Sequence, residues 1–139
     1  MSSETIENLK TMIAENDNPK ILFDKVEALS KENSHPSTVF AIAESIMNTE
    51  LNPEFVKIFV QEKMKKLAVK LKGEYEILIK EKSHFTTKME TIALLARMSH
   101  NNQMRMYNID VLSIFKNVFA DHSQAFENAL IKNEALFSD

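Results

Sequence analysis

The chain has 139 residues, a formal net charge of -3, 44% hydrophobic and 27% charged residues, no cysteine and one glycine. The absence of cysteine excludes disulfides, thiolate nucleophiles and cysteine-ligated zinc, and the mild negative charge gives no general attraction to nucleic acid or anionic membranes. The shortage of glycine disfavours tight hairpins, phosphate-cradling loops and strained nucleophile elbows.

The first residues contain neither the basic start nor the apolar run of a signal peptide, and no later apolar run reaches the roughly 18 residues that span a bilayer. We therefore expect a soluble, intracellular protein, cytoplasmic or nuclear, with no membrane partner. A chain of this length is most simply a single all-helical domain, residues 1–139.

Apolar residues recur at spacings of three and four along the whole sequence, which predicts helices from end to end. The first predicted helix runs from about Ser3 to Glu15. Its apolar stripe consists of Ile6, Leu9, Met12 and Ile13.

Three prolines, Pro19, Pro36 and Pro53, stand at equal intervals of seventeen residues. Proline is tolerated in the first turn of a helix, and Asn18 and Asn52 are good N-cap residues directly before two of them. Apolar residues three and seven positions after each proline fall on one helical face. The spacing predicts three units, each a helix of about twelve residues followed by a connection of about five.

The helix that Pro53 opens is expected to continue to Lys72, because Gly73 is a natural residue to follow a helix C-terminus. The segment GEYEILIKEK is then expected to form a separate short helix. Thr87 and Glu90 stand in capping-box spacing and predict the start of the next helix.

A further helix is expected over NIDVLSIFKNVF, and a last helix, DHSQAFENALIKNEALF, with Asp121 or Ser123 as its N-cap. The total is seven or eight helices without a strand. The fold class is therefore all-α, and the short helices form either stacked hairpins, as in a solenoid, or a compact orthogonal bundle.

The segment METIALLARMSHNNQMRMYNIDVLSIFKNVF, residues 89–119, resembles one helical repeat of the armadillo or HEAT type. In that family a helix containing A-L-x-x-L is followed by an asparagine-containing turn, a short helix carrying N-R and a longer helix ending in L-x-x-L-L. The glycine usual between the last two helices is replaced here by Asn108 or Asp110. The likeness rests on Leu94, Leu95, Asn102, Arg105, Ile109, Leu112 and Phe115. It implies a solenoid fold that binds other proteins.

A second segment, STVFAIAESIMNTELNPEFVKIFVQEKMKKLAVK, residues 37–70, is similar to the core of late-transcription coactivators of T4-type phages. Proteins of that family bind the flap of a host RNA polymerase, and some end in a short apolar and acidic tail that docks on a sliding clamp. The C-terminal NEALFSD resembles such a tail. The likeness implies that Leu136 and Phe137 contact a clamp, whereas without it they fasten the last helix to its neighbour.

No group of residues predicts catalysis. The four histidines, His35, His84, His100 and His122, each lie at a predicted helix boundary, and none forms an i, i+4 metal pair or an H-E-x-x-H motif. Carboxylates alternate with lysines at helical spacing, as on a solvated face. We expect no enzyme activity, no cofactor and no metal.

Lysines are concentrated in one predicted helix. Between Pro53 and Lys72 there are six lysines and two glutamates, a local charge of +4 in a chain of -3. This pattern indicates either a contact surface for an acidic partner or a solvated face with cations near a helix C-terminus. Nucleic acid is the less favoured partner, because arginine and interleaved aromatic residues are missing. The lysines are Lys57, Lys63, Lys65, Lys66, Lys70 and Lys72.

The sequence therefore predicts a non-enzymatic interaction or adaptor module that binds a protein partner through this helix. Charge reversal at Lys63, Lys66 and Lys70 is expected to weaken binding without unfolding the chain. The alternative is a phage-encoded transcription regulator that binds RNA polymerase and a sliding clamp. Partner identity and oligomeric state are not encoded in any recognisable motif.

Overall fold

The computed structural model describes residues 11, 36–48 and 52–134. These ranges contain helices and no strand, which confirms the all-α class for the described part of the chain. The helices are α1 (Pro36–Met47), α2 (Pro53–Glu81), α3 (Phe85–Ser99), α4 (Asn102–Met106), α5 (Val111–Val118), a 3-10 helix (Ala120–His122) and α6 (Ser123–Asn133).

The predicted helix over residues 3–15, apart from Thr11, and the helix opened by Pro19 lie outside the described residues. The total of seven or eight helices and the solenoid arrangement stay predictions. The chain divides into two compact units, Met1–Lys63 and Met64–Asp139. The expected single domain likewise stays a prediction.

In the first unit, two helices begin at prolines as predicted. Helix α1 begins at Pro36 and is twelve residues long. Helix α2 begins at Pro53, and Asn52 Oδ1 accepts a hydrogen bond from the Glu54 N–H at 2.9 Å. The Asn52 cap is therefore confirmed, since its side chain satisfies one of the N–H groups that the first turn leaves without an intrahelical partner. The apolar positions of both helices include fully buried residues: Ile42, Ala43, Ile46, Val56, Phe59 and Val60.

The predicted end of α2 at Lys72 is wrong. The helix is 29 residues long and passes through Gly73, so GEYEILIKEK is its last part and not a separate helix. A glycine in a helix interior costs only about 1 kcal/mol relative to alanine. The buried residues Leu67, Leu71 and Tyr75 follow one another at i, i+4 spacing across this point, and their burial outweighs that cost.

Helix α2 ends at Glu81, and Lys82 is the residue directly after it. Lys82 has a positive φ of 53°, its N–H donates to the Ile79 carbonyl at 3.1 Å, and the Ser83 N–H donates to the Leu78 carbonyl at 3.0 Å. This pair of bonds is a Schellman motif, which requires a left-handed residue that is usually glycine. The only glycine of the chain thus lies inside the helix, while a lysine occupies the left-handed position.

Two exchanges in α2 should therefore stabilise the protein. A Cβ added at Gly73 meets no atom within 4 Å, so Gly73→Ala is expected to raise the free energy of unfolding by about 0.5–1 kcal/mol. Lys82→Gly should also raise it, because glycine adopts positive φ without steric cost. Urea denaturation measures both changes. Lys70→Gly, at an exposed position of the same helix, is the control and should lower stability by about 1 kcal/mol. A destabilised Gly73→Ala variant would contradict the prediction.

The second unit is built around an aromatic cluster. The Phe119 ring stacks on Phe126 with the centroids 5.4 Å apart, and Tyr75 meets Phe119 edge to face at 6.4 Å. Phe115, one turn before Phe119, is fully buried as well. Helix α3 contributes a buried stripe of Met89, Ile92, Ala93 and Ala96. These side chains form the hydrophobic core of the unit.

The predicted capping box of α3 is wrong. The helix begins at Phe85, its N-cap is His84, and no side chain caps it. Thr87 therefore lies inside the first turn, and Glu90 forms an ion pair with Lys132 of α6 at 2.7 Å. The spacing of Thr87 and Glu90 fits a capping box, but the packing of α3 against α6 determines where the carboxylate goes.

The predicted cap of α6 is also wrong. The N-cap is His122, and neither Asp121 nor Ser123 caps the helix. Asp121 belongs to the 3-10 helix and binds Lys72 Nζ at 3.0 Å. The Asp121 side chain, which the local pattern assigned to capping, thus forms an ion pair with a residue of another helix.

The turn between α4 and α5 contains Asn108 and Asp110. Asn108 adopts φ 58°, and the Ile109 N–H donates to the Met104 carbonyl at 3.0 Å, which closes the turn in Schellman geometry. Asp110 caps α5, because its carboxylate accepts hydrogen bonds from the Ser113 N–H at 3.0 Å and from the Ser113 hydroxyl at 2.8 Å. Asparagine tolerates the left-handed region better than most residues, so no glycine is needed.

The cap at Asp110 predicts a pH-dependent stability. The hydrogen bonds from Ser113 lower the pKa of Asp110 below its ordinary value, so the folded state is favoured above the unfolded pKa and this contribution is lost as the pH falls through the folded pKa. Asp110→Ala should cost about 1 kcal/mol at pH 7. In urea titrations its difference from the original protein should shrink as the pH falls from about 5 toward 2. Asp110→Asn keeps a capping oxygen without the charge and should remove the pH dependence. A constant difference at all pH values would contradict this account.

Candidate interaction surface

One side of α2 within the second unit remains exposed. Its apolar members, Val69 and Ile77, are 54% and 56% exposed and lie four residues before and after Gly73. Residues at spacings of three and four share a helical face, so these side chains form one stripe. We call this stripe the α2 exposed face; it consists of Lys65, Lys66, Val69, Lys70, Gly73, Ile77 and Lys80.

The opposite side of the same helical segment is buried and fixes its rotation. The apolar residues Met64, Leu67, Ala68, Leu71 and Tyr75 are at most 4% exposed. Removing these side chains from water stabilises the docked helix by an amount proportional to their apolar area. The α2 exposed face is therefore held facing solvent by the packing behind it.

Two glutamates border the α2 exposed face and are directed toward other elements. The Glu74 carboxylate binds Lys88 Nζ of α3 at 3.1 Å, and the Glu76 carboxylate lies 3.0 Å from His122 Nε2. The seven residues of the face themselves include four lysines and no carboxylate, within a chain of net negative charge.

The structure separates the six predicted lysines. Lys65, Lys66 and Lys70 lie on the α2 exposed face. Lys63 is 4% exposed, with its Nζ 5.5 Å from the centre of the Phe59 ring, so it does not belong to an exposed lysine surface. The spacing of Lys63 from Lys66 and Lys70 suits one face, but Lys63 belongs to the first unit, where it is buried along with Phe59 and Val60.

Lys72 is also engaged within the protein. Its side chain is 22% exposed, and the hydrogen bond with Asp121 raises the pKa of Lys72 and lowers the pKa of Asp121. This pair connects α2 to the 3-10 helix. Lys57, in the first unit, is half-buried.

The tail residues Leu136 and Phe137 lie outside the described residues. The transcription-coactivator hypothesis therefore stays a prediction.

Comparison with protein-family models, with curated proteins and with solved structures finds no match for this chain. None of the described helices combines the length and apolar character needed to cross a membrane. The arrangement of the described residues is therefore the basis for assigning a function.

Sequence reasoning missed four members of the face, namely Val69, Gly73, Ile77 and Lys80. The signal was present, because Val69 and Ile77 share a helical face with Lys66 and Lys70 when the helix continues past Gly73. A helix that ends at Lys72 does not include Ile77 and Lys80.

A groove of about 330 Å³ opens between α3 and α6 in the same unit. Phe85, Met89, Ala125 and Ala129 line it, together with Tyr75, and burial raises the pKa of the Tyr75 phenol. The ion pair between Glu90 and Lys132 also lines the groove. Within the part of the chain that the structure describes, no cluster of three or more histidines and carboxylates could hold a metal ion.

The described histidines serve as helix-end or contact residues. His84 is exposed at the N-cap of α3, and His100 is the C-cap of the same helix. His122 contacts Glu76 through Nε2 and meets the Tyr75 ring edge to face, with the centroids 5.2 Å apart. These positions agree with the expectation that the histidines lie at helix boundaries; His35 lies outside the described residues.

Proposed function

We propose that this chain is a non-enzymatic interaction module that binds an acidic surface of a partner protein through the α2 exposed face. The observation that carries the proposal is the set of four exposed lysines around exposed Val69 and Ile77 on one side of a helix. Lysines attract and orient an acidic partner, and exposed aliphatic groups add apolar area that becomes buried on contact.

The apolar members of the face favour a protein partner over nucleic acid. Phosphate backbones are bound by cations and hydrogen-bond donors, so Val69 and Ile77 would gain little from such a contact. The face also contains no arginine, the residue best suited to bidentate phosphate contacts. Protein surfaces, in contrast, offer both carboxylates and apolar groups.

A pair of charge-matched variants tests the proposal. The double change Lys66→Glu and Lys70→Glu reverses two exposed charges of the face. The control, Lys82→Glu with Lys116→Glu, makes the same change of net charge outside the face. Tagged protein is expressed in its native source, and bound proteins are quantified by mass spectrometry after affinity purification.

The original chain and the control should recover the same acidic proteins. The amount recovered with the Lys66→Glu and Lys70→Glu variant should fall by about tenfold or more. The loss should be smaller at high salt, where ionic contacts are already screened. Equal recovery with both variants would remove this face as the binding surface. Recovery of nucleic acid in place of an acidic protein would contradict the protein partner.

A further inference from the structure

We infer that the partner places an acidic amphipathic α-helix on the α2 exposed face and that this helix crosses α2 at Gly73. The inference rests on the proposed function and names the kind of partner element that the face fits. It adds a geometric requirement, because the partner helix must approach α2 closely at Gly73. A diffuse contact between opposite charges has no such requirement.

Gly73 lies at the middle of the face, and the folded chain gives no reason for a glycine there. It is exposed, and a Cβ at this position would meet no atom within 4 Å. Its φ is not positive, so it is not needed for the backbone conformation. A glycine in a helix interior nonetheless lowers stability relative to alanine. What the glycine provides is space outside the helix.

That space has the shape needed for a helix crossing. Val69 and Ile77 are exposed on either side of Gly73 and form two apolar contacts separated by a gap. Packed helices lie about 8–10 Å apart depending on the side chains at the contact, and glycine allows the shorter distance. A partner helix with a small residue over Gly73 would contact both Val69 and Ile77.

The charges flanking the gap define the partner further. At 100° per residue, Lys65 and Lys70 fall on opposite flanks of the line from Val69 through Gly73 to Ile77, and Lys66 and Lys80 lie two turns before and two turns after Gly73. Glutamates on both flanks of an apolar partner stripe would meet these lysines, as charged residues do on either side of a coiled-coil seam. A second copy of the same face would bring lysines against lysines, so the occupant is a different, acidic helix.

A display library of helical peptides tests the inference, and the partner itself is not needed. The probes are 20-residue peptides on a helical scaffold, with the positions of one face randomised, selected on the folded protein. We expect enrichment of peptides that carry a stripe of small and aliphatic residues flanked by Asp or Glu. Binding of the enriched peptides is then measured by fluorescence anisotropy, and each variant's stability by urea denaturation.

Gly73→Ala should weaken peptide binding by at least about tenfold while raising the stability of the free protein, and Gly73→Leu should weaken it further. Loss of binding therefore cannot arise from unfolding. Ile77→Asp should also weaken binding, whereas Ile131→Asp, a change at a residue of similar exposure on α6, should not.

Enrichment of peptides without acidic flanks, or of none above background, would overturn the inference. If acidic peptides are enriched and lost on reversal of Lys66 and Lys70, but Gly73→Ala binds them equally well, the crossing at Gly73 is wrong while the proposed function stands. If the enriched peptides bind the variant with Lys66→Glu and Lys70→Glu as well as they bind the original protein, both the crossing at Gly73 and the proposed function are wrong.

Discussion

Phe119→Ala should lower the free energy of unfolding by about 3–5 kcal/mol. The Phe119 side chain is fully buried and contacts Phe126 and Tyr75 through its ring. Truncation removes the transfer free energy of the ring, leaves a cavity and removes two aromatic pairs, each of which contributes about 0.5–1.5 kcal/mol. Since Phe119 joins α5 to the 3-10 helix, the loss should affect the whole second unit.

The effect is measured by urea denaturation followed by circular dichroism. Phe85→Ala is the matched control, because Phe85 is 39% exposed and lines the groove between α3 and α6. Its cost should be smaller, about 1–2 kcal/mol, since more than a third of the residue already lies in water. Equal costs for the two substitutions would show that the aromatic cluster is not the core of this unit.

Lys63→Glu should lower the free energy of unfolding by about 3 kcal/mol or more. Lys63 is almost fully buried, and its ammonium lies near the face of the Phe59 ring. A carboxylate at this position would lose its hydration and face the negative side of the ring, which attracts cations and repels anions. The same reversal at exposed Lys66 should change stability by no more than about 0.5 kcal/mol.

Thermal and urea denaturation of the two variants measure the difference. Lys63→Met, which keeps most of the length of the side chain and removes the charge, should cost less than Lys63→Glu. If Lys63→Glu and Lys66→Glu were equally stable, Lys63 would be exposed in solution and would rejoin the lysine surface. The result also bears on binding, because a variant reversed at Lys63, Lys66 and Lys70 together would lose its partner through unfolding as well as through charge.

Local sequence signals were sufficient for the starts of α1 and α2. Pro36 and Pro53 each open a helix, and the twelve-residue length of α1 follows from the spacing of the prolines. Asn52 caps α2 as predicted. These features depend on a residue and its near neighbours, because the fixed φ of proline and the reach of an asparagine side chain are local properties.

Helix ends and side-chain partners were less predictable. A helix continues past a poor residue when buried positions beyond it contribute more free energy than the residue costs, and Gly73 is followed by buried Tyr75. Asp121 and Glu90 each have a local capping position available in the sequence, yet they bind Lys72 and Lys132, residues 49 and 42 positions away. Partners so far apart along the chain cannot be recognised from a short sequence motif.

The sequence by itself determined that the chain is helical, where α1 and α2 begin, and that one helix is rich in lysine. Only the tertiary structure decided which of those lysines face solvent, because burial depends on how far the helix extends and which side of it packs against the core. Lys63 is buried and Lys72 is bound to Asp121, while Lys65, Lys66 and Lys70 remain exposed beside Val69 and Ile77. The rotation of α2 about its axis, set by its buried residues, thus defines the surface offered to a partner.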